Sequence, residues 1–207
     1  MTFSIVATDS ETGACGSGVA SFSLAVGGTV SYSRLGVGVI NTQHYAHLAL
    51  GQRVLEEMDA GKAPHEALAE ILDDDPGADA RQLIAMDVTG RKGAWTGSQC
   101  APPCHHVFGT GCVAAGNFLA TEKVVERMVD AFERSAGEAL GDRLLAALEA
   151  GDRNGGDRRG RKAASISVIP REGAGVAINL DLRVDAHEEP LAELARLREL
   201  FKVEFRQ

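Results

Sequence analysis

What most constrains the fold of this chain is the order in which its two kinds of periodicity occur. Strand-like and helical segments do not alternate one for one; helices come in pairs, after runs of strands. Period-two patterning and β-forming residues predict a strand over Thr2–Asp9 and a second over Ala14–Ser23. The second is built of small residues (Cys15, Gly16, Ser17, Gly18, Ala20), which lets another layer approach closely. Further strands are expected over Gly28–Tyr32 and Gly36–Thr42. A helix pair follows: Tyr45–Ala60, ended by Gly61, and Pro64–Leu72, opened by a proline suited to the first turn. Strands return at Gln82–Asp87 and Lys92–Thr96 around a Thr89-Gly90 turn, with another over His106–Ala114. The second helix pair is Thr121–Ser135, with Thr121 as its N-cap, and Glu138–Ala150. Strands over Ala164–Ile169 and Val176–Asp181 and a helix over Pro190–Phe201 complete the chain. Helix pairs placed after strand runs argue for an α+β fold with antiparallel sheets rather than a doubly wound parallel sheet. Two sheets stacked face to face with helices outside would use this order economically. In 207 residues there is no internal repeat and no break in composition, so one domain spanning 1–207 is expected.

A net charge of −8 argues against wholesale binding of nucleic acid. No stretch of 18 or more apolar residues occurs, so no membrane span is expected. The start, MTFSIVATD, lacks the basic and apolar regions of a secretory signal, and a cytoplasmic location is expected. Cys15, Cys100, Cys104 and Cys112 are then expected to be reduced.

Against this acidic background one basic segment stands out, GGDRRGRKAA over Gly155–Ala164, on a helix-to-strand connection. Gly155 and Gly156 let backbone N–H groups approach a ligand. Arg158, Arg159, Arg161 and Lys162 supply cations, and arginine forks suit carboxylate or phosphate. An anion-recognition loop is expected, with a solvated charged turn as the plainer alternative. Thr2 is a second candidate. A free N-terminal threonine carries its own base, because an α-amine of pKa about 8 can take the hydroxyl proton. The small residue after Met1 is of the kind that permits removal of the initiator. Cys100, Cys104, His105 and His106 carry metal-ligating atoms, but not at the usual zinc spacing, and no metal or other cofactor is expected. His44 and His47 read as satisfied or exposed histidines, and the acidic run Asp73–Asp75 as a solvated terminus. There is no P-loop and no nucleophile elbow.

The opening TFSIVA with Asp9, the GVGVINTQ stretch, Trp95-Thr96-Gly97 with Cys100, and the Gly116-Asn117 pair carry a family resemblance. With GGDRRGR followed by Asp181-Leu182-Arg183-Val184-Asp185, they resemble the bacterial family called domain of unknown function 1028. That family is grouped with the Ntn-hydrolase-like fold, which implies a four-layer αββα sandwich and places Thr2 where such hydrolases keep their nucleophile. Ala115 and Lys162 stand where glutamine is usual, and Cys104 and His105 replace a more apolar pair; these departures bear on the substrate more than on the fold. The resemblance implies a hydrolase acting on an amide or cyclic amide C–N bond of a small anionic molecule. In that reading Thr2 attacks and Asp157 orients an arginine or takes a proton. Asn117 donates to the oxyanion. Arg158, Arg159, Arg161 and Gly156 hold the anion, and Gln43 and His106 line the pocket. Three alternatives stand beside it. One is a binding protein for a small anion or nucleotide on a hydrolase scaffold. Another is an enzyme similar to archaeal IMP cyclohydrolases, which work without an N-terminal nucleophile. The third is a structural ion-pair network in which Asp157 and Asp185 partner the arginines. A homodimer is expected, with neither nucleic acid nor membrane as partner.

Overall fold

The computed structural model describes residues 2–171, 173 and 179–205. The chain opens with two strands, β1 (Thr2–Thr8) and β2 (Cys15–Ser21), paired antiparallel from Thr2 opposite Ser21 to Thr8 opposite Cys15. Their turn is closed by the Asp9 carboxylate, which accepts from the N–H groups of Glu11 and Thr12. Next come the helical turn α1 (Gly27–Val30) and the strands β3 (Ser31–Arg34) and β4 (Gly38–His44). The helix pair α2 (Leu48–Asp59) and α3 (Pro64–Asp73) leads to β5 (Arg81–Asp87), β6 (Lys92–Thr96), β7 (His105–Gly109) and β8 (Cys112–Asn117). A second pair, α4 (Lys123–Arg134) and α5 (Leu140–Arg153), precedes β9 (Ala163–Ile169), β10 (Leu180–Val184) and α6 (Pro190–Phe205). One sheet has the order β10-β9-β2-β1-β8-β7 and the other β3-β4-β5-β6. Every pairing among the described residues is antiparallel.

Successive side chains of a strand point to opposite faces, and β1 is buried on both. Phe3, Ile5 and Ala7 join Val125, Met128, Phe132, Leu144 and Leu148 of α4 and α5. Val6 joins Val39, Ile84, Met86, Val113 and Ala115 between the two sheets. On the far side of the second sheet, Val54, Leu55, Leu68 and Ile71 of α2 and α3 cover Ile40, Leu83 and Ala85. The layers therefore run α, β, β, α, as the element order and the Ntn-hydrolase-like resemblance imply. The small residues of β2 do let a helix approach. A Cβ on Gly16 would lie 2.7 Å from Leu144 and 2.8 Å from the Ser167 carbonyl, and one on Gly18 would lie 3.3 Å from Leu148. Each large apolar side chain so buried contributes about 1.5–3 kcal/mol.

Several boundaries differ from those the pattern predicts. Residues 28–30 form the turn α1 rather than a strand, because that turn buries Val26 and Val30 against Val19 and Ala163. The strand expected over 106–114 is the hairpin β7–β8, broken at Thr110-Gly111, where Gly111 has φ +70°. Helix α2 begins at Leu48 rather than Tyr45, since β4 runs to His44 and ends there with φ +69°. Thr121 is not the cap of α4: Glu122 holds that position and makes no side-chain capping bond. Gly151 lies inside α5, where a Cβ would meet Met128 at 2.9 Å and Phe3 at 3.2 Å. Of the strand expected over 176–181, residues 176–178 lie outside the described residues, and the observed strand is β10, reaching Val184. Among the described residues, no helix is long and apolar enough to cross a membrane.

Candidate functional site

Alternation along β1 turns Thr2, Ser4, Val6 and Thr8 toward the second sheet, and register sets Thr2 between Ser21 of β2 and Asn117 of β8. Thr2 is 4% exposed, and its Oγ1 lies 3.2 Å from the Ser21 hydroxyl. One step along the strand, the Ser4 hydroxyl donates to Gln43 Oε1 at 2.7 Å. Gln43 Nε2 donates to Gln82 Oε1 at 2.8 Å, and Asn117 Nδ2 donates to the same oxygen at 2.9 Å. Gln82 Nε2 reaches the Gly116 carbonyl at 2.9 Å, Thr96 Oγ1 at 3.1 Å and the His105 carbonyl at 3.3 Å. The Thr96 hydroxyl lies 2.8 Å from His106 Nδ1. Burial, aided by the neighbouring His105, holds the His106 pKa below its ordinary value. Four of the residues read from sequence, Thr2, Gln43, Asn117 and His106, thus share one polar stratum between the sheets. Its hub, Gln82, was not among them. Only the register that sets Gln43 opposite Gln82 exposes its role. Gly116 and Asn117 close strand β8.

The basic loop crosses this end of the sandwich. Gly155 and Gly156 have φ +100° and +45°, and a Cβ on Gly156 would lie 3.0 Å from the Phe3 ring. The need for glycine at 156 is therefore met by packing. The Asp157 side chain is fully buried. Its carboxylate accepts from the Arg159 N–H at 2.9 Å and the Phe22 N–H at 3.3 Å, and its backbone bridges Leu119. Asp157 thus ties the loop to the segments just beyond β2 and β8. Arg159 sits between two rings, its guanidinium carbon 4.7 Å from the centre of Phe22 and 5.2 Å from that of Phe118. Arg158 lies 5.0 Å from Phe118, and the Lys162 ammonium lies 4.0 Å from Phe22. Such stacks hold a cation near an aromatic face while leaving its hydrogens free for an anion. Among the described residues, no carboxylate lies within ion-pair distance of Arg158 or Lys162. Arg161 faces elsewhere: it pairs with Asp152 at 3.0 Å and Glu189 at 2.6 Å, pinning the loop to α5 and to the segment before α6. Asp185 pairs with Arg183, at 2.9 Å.

The remaining candidates are placed as follows. His44 lies 2.8 Å through Nδ1 from the Ala80 carbonyl and accepts from the Ala101 N–H through Nε2, so both ring nitrogens are satisfied; His47 is exposed. The Cys100 thiol donates to the Arg81 carbonyl and the Cys104 thiol to the Cys100 carbonyl. Burial pushes Cys100 up to about 11 and Cys112 up to about 12. No group of three or more His, Cys, Asp or Glu able to hold a metal occurs among the described residues. A cleft of about 1150 Å³ opens at the other end of β1, around Thr8, Thr89, Gly137 and Arg143. A smaller one of about 400 Å³ lies between α3 and β6, beside Trp95. Neither is lined by Thr2 or by the basic loop.

Comparison with known proteins adds the following. The family described as "Family of unknown function (DUF1028)" matches residues 2–194. The crystal structure of a Silicibacter pomeroyi protein of that family is 32% identical, with a TM-score of 0.88 over 97% of this chain and 89% of that one. Anbu (ancestral beta-subunit) from Yersinia bercovieri is 12% identical, with a TM-score of 0.43 over 100% and 97% of the two chains. A Gly-1 mutant of Anbu from Hyphomicrobium sp. is also 12% identical, with a TM-score of 0.47 over the same shares. Neither Anbu likeness bears on what this chain does. No curated protein matches the chain.

Proposed function

The chain belongs to the family of unknown function 1028, and we propose that it hydrolyses a C–N bond, amide or cyclic amide, in a small anionic molecule. The observation that carries this reading is the position of Thr2. Its hydroxyl stands at the start of the central strand, between Ser21 and Asn117, at the end of the sandwich crossed by the cation-bearing loop. With a free α-amine, Thr2 holds nucleophile and base in one residue. Oγ1 attacks the carbonyl carbon while the amine takes the hydroxyl proton. The C–N bond breaks as that proton passes to the leaving nitrogen. Water then hydrolyses the ester and restores the hydroxyl. Arg158 and Arg159 bind the anionic group through their guanidinium forks. Asp157 acts on the loop's position rather than on the substrate. Arg161, engaged by Asp152 and Glu189, serves the same end.

The deep burial of Thr2 favours a second reading, in which the loop binds an anion and nothing is turned over. One experiment separates the two. The protein is expressed with its native start, its intact mass is measured, and small anionic amides are screened against wild type, Thr2→Ala and Arg158→Ala. Loss of Met1, turnover abolished in Thr2→Ala and a raised KM in Arg158→Ala are expected. Retention of Met1, or turnover that survives Thr2→Ala, refutes the proposal.

A further inference from the structure

The polar stratum beside Thr2 holds its amides in one orientation. Gln82 sets it, because its Nε2 is surrounded by the carbonyls of Gly116 and His105 and the hydroxyl of Thr96. Backbone carbonyls can only accept, so a flipped Gln82 would set its own oxygen against two of them. Gln82 Oε1 must therefore face the other way, where it accepts from both Gln43 and Asn117. That leaves Asn117 no choice. Its Nδ2 is held by Gln82, and its Oδ1 is turned away from Gln82. The residue is fully buried, and among the described residues its Oδ1 has no hydrogen-bond partner. A buried acceptor left without a donor is costly, and directly opposite residues of an antiparallel pair have Cβ atoms about 4.5–5.5 Å apart. The residue directly opposite Asn117 on β1 is Thr2.

We infer that Asn117 presents its side-chain carbonyl, not its nitrogen, to Thr2, where it accepts a hydrogen bond from the α-ammonium of the mature threonine, and that Gln82 is the positioning residue that fixes this orientation. The inference rests on the reading of Thr2 as a terminal nucleophile. It replaces the oxyanion role first expected of the Asn117 amide with a different one: holding the amine that serves as base. The relay through Gln43 to Ser4 braces the hub from the β1 side.

The test is a titration of the Thr2 α-amine. The chain is released from an N-terminal fusion cleaved directly before Thr2, so the amine is free however the cell processes Met1. Its apparent pKa is read from the pH dependence of periodate cleavage of the terminal amino alcohol, followed by mass. The charged or titratable groups placed at this end include Asp157, Arg158, Arg159, Lys162, His105 and His106, and all are common to every variant compared. An acceptor on the ammonium raises its pKa. Asn117→Leu should therefore lower the apparent value by about one unit. Gln82→Met, which frees the Asn117 amide to rotate, should lower it by less, and Asn117→Asp should raise it. Thermal unfolding identifies any variant that does not fold, and the direction of the shift in either of the others then decides. Values unmoved in the folded variants, or a rise in Gln82→Met, overturn the assignment. A native-start protein that keeps Met1 overturns the proposed function instead, and the fusion-released titration still settles the orientation of the amide.

Discussion

Asp157→Ala removes the carboxylate that ties the basic loop to the segment beyond β2, and leaves its backbone bridge to Leu119, beyond β8, in place. Two backbone donors lose their acceptor, the N–H of Arg159 at 2.9 Å and that of Phe22 at 3.3 Å. A buried donor left unsatisfied costs about 1–3 kcal/mol. Phe22 is half-buried and Arg159 exposed, so water recovers part of each bond and the low end applies. The sum is about 2 kcal/mol. The Arg159 guanidinium, 3.5 Å from the carboxylate and 39% exposed, adds little. For a chain of this size 1 kcal/mol moves Tm by about 2–4 °C, so Asp157→Ala should lower it by about 4–8 °C. Asp157→Asn should recover at most half. Its oxygen can still accept from Arg159, but its nitrogen then faces the Phe22 N–H as a second donor. Calorimetry gives the stability, and hydrogen exchange at the Phe22 and Arg159 amides gives the mechanism. If Asp157→Ala stays within about 0.5 kcal/mol of wild type, a difference usual for inert surface substitutions, and both amides keep their protection, the carboxylate does not hold the loop.

Three further outcomes are expected. Gly38→Ala should destabilise by about 1–3 kcal/mol or more in urea unfolding, because a Cβ there would lie 2.2 Å from the Met86 carbonyl of the adjacent strand; a neutral result would mean that β4 can shift. In the folded protein at pH 8, with Cys112 at about 12 and Cys100 at about 11, both thiols should resist a thiol-disulfide reagent, whereas the half-buried Cys104 should react first; equal rates for all four in the folded state would contradict the burial. His106 has a folded pKa below its unfolded value of about 6.5. Its contribution to stability is therefore present above that value and falls away as pH drops through the folded pKa. His106→Asn should flatten the loss of stability on acidification, read from urea midpoints at several pH values, and an unchanged slope would remove His106 from the account.

The layer order was legible from the rhythm of helix pairs and strand runs, because burial of one face per element leaves few other solutions. The run of small residues in β2 correctly announced a close neighbour, since Leu144 and Leu148 leave no room for a Cβ. What could not be read locally was anything decided by a partner distant in sequence. Gln82 looks like one polar residue at the start of a strand until its bonds to Gln43, Gly116 and Asn117 are drawn. Arg161 looks like its neighbours Arg158 and Arg159, and only the positions of Asp152 and Glu189 separate a clamp from an exposed cation. The turn α1 was missed because its glycines and valines are neutral locally and are decided by contact with β2 and β9.

The two sheets also differ in how the chain supplies them. Strands β3 to β6, with the helix pair between β4 and β5, come from one unbroken stretch, residues 31–96, and each pairs with the next in sequence. The six-stranded sheet is stitched from both ends: β1 waits for β8, and β2 waits for β9. Contacts across such long separations close slowly. During synthesis the inner meander can organise first, while Thr2 and Ser21 lie far from Asn117 and Asp157, which have yet to emerge. The four can be gathered only after β8 and the loop before β9 have been made, so a chain cut off before them lacks this arrangement.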